Sequence, residues 1–107
     1  FVHVDDCVAA MLWLAVNPGT SGIFNIGSGT ARTFLDLVRA IYAALGRNAD
    51  IRFIAMPDDL RGKYQYFTEA RLDRLLAAGF TRAATALEDG VADYVRNYLS
   101  NADAPYR

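Results

Sequence analysis

A chain of 107 residues has room for one domain, and at 53% apolar with a net charge of −1 it is composed to fold, not to stay disordered. Eleven basic residues against twelve acidic ones exclude a broad surface for nucleic acid or an anionic membrane. The single cysteine, Cys7, excludes an internal disulfide and a cysteine-based zinc site, and it fits a reducing compartment.

Phe1–Val4 reads as a short buried strand. Opening on an apolar, β-branched run leads to the expectation that this is the C-terminal portion of a longer protein. Asp6 then reads as the N-cap of a helix over Cys7–Val16, its carboxylate accepting from free N–H groups of the first turn. That run, CVAAMLWLAV, is apolar all round, which predicts burial on most sides. Ten residues are too few to span a bilayer. Asn17-Pro18-Gly19 stops the helix, because proline disfavours helix at the residue before it.

Ile23–Ile26 reads as a second strand and Gly27-Ser28-Gly29 as a flexible loop. Thr33 and Asp36 then start a helix whose apolar stripe is Phe34, Leu37, Val38, Ile41, Tyr42 and Leu45, with Gly46 past its end. Ile51–Ala55 reads as a third strand closed by Pro57. After a loop over Asp58–Phe67, Thr68 reads as the cap of a helix carrying Leu72, Leu75 and Leu76. Gly79 suits the left-handed position after it, with Phe80 folding back on Leu75. Thr85 and Glu88 match a capping box for a last helix with Leu87, Val91, Tyr94, Val95 and Tyr98 on one face. Gly90 inside that helix costs roughly 1 kcal/mol relative to alanine and has no sequence explanation. Asn101–Arg107 reads as a frayed tail. The predicted fold is α/β, with about four helices and three short strands that extend or pack against a sheet supplied from outside the chain.

Much chemistry is absent. Gly27-Ser28-Gly29 is only the first half of a dinucleotide-binding G-x-G-x-x-G, since Arg32 stands where the third glycine would fall. Gly62-Lys63 is followed by Tyr64, so it is no P-loop. Asp59 stands four residues before Lys63, the only lysine, so there is no Tyr-x-x-x-Lys pair. His3 reads as a strand residue sharing a face with Phe1, Cys7 as a core thiol, and Trp13 as core. Asp5-Asp6 reads as a cap and a solvent residue in preference to metal ligands, and Asp58-Asp59 as turn residues. No catalytic, cofactor-binding or metal-ligating residue is assigned. The densest chemistry lies in Arg61–Phe67, where cations, an amide and rings stand side by side in a loop. Composition leaves two readings of it open. One is a solvated basic loop pinned to the core by its aromatics; the other is a site for an anion and a ring, with cations and a tyrosine hydroxyl toward a phosphate.

Several segments together resemble a known family. Phe1-Val-His-Val-Asp-Asp6 and Phe24-Asn-Ile-Gly-Ser-Gly29 are similar to motifs in the C-terminal part of the extended short-chain dehydrogenase/reductases. Met56-Pro-Asp-x-Leu60, Tyr64-Gln65, Phe67-Thr68 and Leu75-x-x-Ala78-Gly79-Phe80 resemble, more selectively, the ADP-L-glycero-D-manno-heptose 6-epimerases among them. The resemblance implies a substrate-binding lobe lacking its Rossmann core, with Tyr64 as a substrate-binding residue. It also implies a full-length enzyme that inverts C6 of the heptose by transient oxidation with bound NADP, whose site lies outside this chain. The product would feed the inner core of bacterial lipopolysaccharide. A nucleotide-sugar substrate, a homo-oligomer and a cytoplasmic location follow from the same resemblance, with no nucleic-acid or membrane partner. Two other readings fit the same residues: the equivalent lobe of another nucleotide-sugar epimerase or dehydratase, and a stand-alone binding domain.

Overall fold

The computed structural model describes residues 1–100, and the expected frayed tail lies outside them. Four α-helices follow one another: α1 (Val4–Val16), α2 (Phe34–Ala44), α3 (Asp73–Ala77) and α4 (Leu87–Tyr94), the last running on into a π-helical turn, Val95–Leu99. The α/β expectation is therefore corrected in its strands. Among the described residues there is none, and Phe1–Val4, Ile23–Ile26 and Ile51–Ala55 pair with nothing in a ladder. A strand exists only through a neighbour that takes its N–H and C=O groups, and the described chain supplies no such neighbour.

α1 begins earlier than its apolar run. His3, extended at φ −76° and ψ 142°, is the N-cap, and its Nδ1 accepts from the Asp5 N–H at 3.4 Å. His3 is thus a cap and not a strand residue, while Asp5 and Asp6 fall in the first turn, where negative charge suits the helix dipole. Asp6 is not the cap. It is 7% exposed and reaches across the molecule, accepting from the Thr85 N–H at 2.8 Å and the Thr85 hydroxyl at 2.9 Å. This removes Thr85 from the expected capping box: α4 is capped by Ala86 with no side-chain bond, and Glu88 turns elsewhere.

α2 forms as its local sequence dictates. The Thr33 hydroxyl accepts from the Asp36 N–H, the Asp36 carboxylate accepts from the Thr33 N–H, and both bonds are 3.0 Å. Past its end, Gly46 takes φ +64° while the Arg47 N–H donates to the Tyr42 carbonyl and the Gly46 N–H to Ala43, a Schellman motif. α3 is shorter than expected. It starts at Asp73, after Leu72, and Thr68 does not cap it. Its end repeats the same device: Gly79 has φ +109°, the Phe80 N–H donates to Leu75 and the Gly79 N–H to Leu76. The Phe80 ring then meets Trp13 edge-on, with centroids 5.7 Å apart, which ties α3 to α1.

α2 packs on α4 and on the π-helical turn. Gly90 has its explanation in that neighbourhood, because a Cβ there would stand 3.0 Å from Cδ2 of His3. The missing side chain lets the α1 cap lie against α4. Among the described residues, only Ala10, Ala40, Leu75 and Val95 are buried apolar side chains. The expectation that α1 is buried on most sides is also corrected, since Val4, Met11, Leu12 and Val16 are all more than half exposed.

Candidate functional site

The loop after Pro57 is a chain of tight turns. Leu60 donates to the Pro57 carbonyl, Arg61 to Asp58, and both Lys63 and Tyr64 to Leu60. Gly62 makes the reversal at φ +81°, with open space around it. Arg61 is committed within the loop, its Nε 3.2 Å from Oδ1 of Asp58. Lys63 has no ion-pair partner among the described residues. Tyr64 meets Tyr66 edge-on at 5.3 Å, and the Tyr66 hydroxyl points at Sδ of Met56, 3.7 Å away. The Tyr64 hydroxyl makes no hydrogen bond to a described residue.

Of the two open readings of this loop, the pinned one loses its support. Tyr66 and Phe67 are 75% and 67% exposed, so these two rings do not anchor the loop to the body. What remains is an outward loop offering one free ammonium and one free phenol on adjacent residues. Such a pair can meet an anionic oxygen by charge and by a directed hydrogen bond.

The other residues singled out are brought to different places. His3 lies between Asp5 and Asp93, with Nε2 3.6 Å from the Asp93 carboxylate, and it touches no nucleophile. Cys7 is half-buried and free. Asp6 is spent on Thr85, and no group of three metal-ligating side chains occurs among the described residues. Gly27-Ser28-Gly29 is built for close packing: a Cβ on Gly27 would stand 2.7 Å from that of Ala70, and one on Gly29 3.0 Å from Leu72. Gly27-Ser28-Gly29 therefore does not fit the pyrophosphate of a dinucleotide such as NADP, which needs backbone open to close approach at a helix N-terminus.

A separate concavity lies elsewhere. A groove of about 780 Å³ runs between the N-terminal segment, α2 and α4, walled by Phe1, Leu37, Ile41, Val91, Tyr94 and Leu99. Its one arginine, Arg32, is fully engaged: the guanidinium makes a two-pronged bridge to Glu88 and also lies 3.4 Å from Asp36. Hydrogen bonding from Arg32 holds the Glu88 carboxyl below its ordinary value, and Thr33 does the same for Asp36, with Arg32 adding to it. Reading the sequence locally missed this bridge, because its partners lie 56 residues apart.

No protein-family model matches the chain. Among curated proteins, it is 54% identical over 103 residues to an ADP-L-glycero-D-manno-heptose-6-epimerase of Nitratidesulfovibrio vulgaris, covering 96% of this chain and 32% of that protein. Enzymes of the same name from Fusobacterium nucleatum and Alkalilimnicola ehrlichii are 46% and 45% identical, covering 97% and 98% of this chain and 33% and 32% of theirs. The chain thus spans about a third of the length of the curated relatives it matches.

Proposed function

We propose that this chain is the C-terminal, substrate-binding portion of an ADP-L-glycero-D-manno-heptose 6-epimerase. The observation that carries the reading is 54% identity to such an enzyme across 96% of the chain. The loop adds physical support. ADP-heptose carries a diphosphate, and Lys63 and Tyr64 are the adjacent free cation and free hydroxyl that such a group needs. Tyr64 is the residue assigned to substrate; Lys63 supplies local positive charge, and Arg61 is held back by Asp58.

The whole enzyme is an isomerase acting on the heptose C6 centre, and its product enters lipopolysaccharide inner-core synthesis in the cytoplasm. NADP supplies the redox chemistry when bound, at a site outside these 107 residues. The task of residues 1–107 is to hold and orient the nucleotide-sugar, and alone they are inactive. No helix among the described residues is long and apolar enough to cross a membrane.

Tyr64→Phe in the longer enzyme tests the site. A hydrogen bond to a charged group contributes about 1.5–3 kcal/mol, so KM is expected to rise roughly ten- to a hundredfold. An unchanged KM removes Tyr64 from the site. Binding of ADP-heptose measured against UDP- and GDP-sugars tests the substrate class.

A further inference from the structure

The Tyr64 hydroxyl makes no hydrogen bond to a described residue, so it is the ring that fixes this side chain. That ring meets Tyr66 edge-on, with centroids 5.3 Å apart and planes at 70°. The spacing of the two, i and i+2, puts side chains on one side of an extended chain. Tyr66 is held in turn from the other end of the loop. Its hydroxyl lies 3.7 Å from Sδ of Met56, a weak acceptor ten positions earlier. Met56 stands directly before Pro57, where the turns begin, and Tyr66 comes after they end. The contact between them closes the loop at its base, and the Tyr64 ring rests on that closure.

The fold itself does not call for this arrangement. Tyr66 is 75% exposed, so its ring adds nothing to the small core. Nor does the tip of the loop hold Tyr64, because Gly62 reverses the chain with open space around it. A tyrosine free to turn about its side-chain bonds loses that freedom on meeting a ligand. Each side chain immobilised in this way weakens binding by roughly two- to tenfold. A ring already fixed avoids that loss. We propose that Tyr66 is a positioning residue, which holds the Tyr64 phenol toward the nucleotide-sugar and does not touch that ligand itself. The proposal rests on the reading that Tyr64 binds the substrate of the longer epimerase.

The test is steady-state epimerisation of ADP-heptose by the longer enzyme, with Tyr66→Ala, Tyr66→Phe, Tyr64→Phe and the double variant Tyr64→Phe/Tyr66→Ala. Tyr66→Ala is expected to raise KM roughly two- to tenfold, the range of an aromatic pair, with kcat unchanged. Tyr66→Phe keeps the ring and is expected to stay within about twofold of the native KM. In the Tyr64→Phe background the hydroxyl to be positioned is gone, so adding Tyr66→Ala is expected to change KM by less than about twofold. An equal effect of Tyr66→Ala in both backgrounds overturns the proposal, since Tyr66 then acts without Tyr64. So does a loss in Tyr66→Phe as large as that in Tyr66→Ala, or a loss in kcat alone. If Tyr64→Phe leaves KM unchanged, the assignment of Tyr64 to substrate fails and the proposal falls with it. If Tyr64→Phe raises KM and Tyr66→Ala does not, only the proposal fails.

Discussion

The Asp6 carboxylate ties the first turn of α1 to the residue just before α4, and it does so from a buried position. Hydrogen bonds to a charged group contribute about 1.5–3 kcal/mol each, and stripping the acceptor leaves the Thr85 donors unmet. Asp6→Ala is therefore expected to destabilise by about 3 kcal/mol in urea unfolding, and Thr85→Val by about half as much, about 1.5 kcal/mol, since it loses only the hydroxyl bond. Equal, negligible losses would show that the contact contributes nothing. Gly90 gives a second residue-scale prediction. Alanine should gain roughly 1 kcal/mol in a helix, but its Cβ would press on the His3 ring at 3.0 Å. Gly90→Ala is expected to stabilise a His3→Ala background and not the native one, and a double-mutant cycle measures the difference. Neither role was legible in the sequence. Asp6 looked like a cap because capping logic sees only a few neighbours, whereas its partner is 79 residues away. Tyr64, by contrast, is singled out only by the resemblance of the motif around it, and its hydroxyl makes no hydrogen bond to a described residue.

At the scale of elements, legibility follows range. α2 was readable from end to end because its cap, stripe and Gly46 terminator are all local, and the Schellman end of α3 was readable for the same reason. The three strands failed because a strand is a relation between segments. Their composition is suited to a ladder, but no second edge lies within the described residues. The capping box at Thr85 failed because the buried Asp6 carboxylate takes the Thr85 N–H from which Glu88 would have to accept, and Glu88 is bridged to Arg32 instead. The bridge from Arg32, just before α2, to Glu88 on α4 carries a pH prediction. Asp36 and Glu88 both have folded values below their ordinary 3.8 and 4.5. Groups shifted down in the folded state bind fewer protons there than when unfolded. Their contribution is thus present at neutral pH and is lost as pH falls through and below the ordinary carboxylate range. Tm is expected to drop as pH falls below about 5, and to drop less steeply in Arg32→Gln. A variant with the same pH profile as the native protein would remove the bridge from the account.

Over the whole molecule, the described chain is spread out and not closed on itself. Its radius of gyration is 17.1 Å, against about 13 Å for a compact domain of 100 residues. Four buried apolar residues make a small core, while α1 turns a full apolar stripe outward. Both features suit a piece that completes its core against other polypeptide, in keeping with relatives three times its length. The decisive measurement is an epimerisation assay with the ADP-heptose substrate, run in parallel on the 107-residue chain and on the longer gene product. Turnover by the longer protein and none by the 107 residues is the expected result; turnover by the 107 residues alone would contradict it.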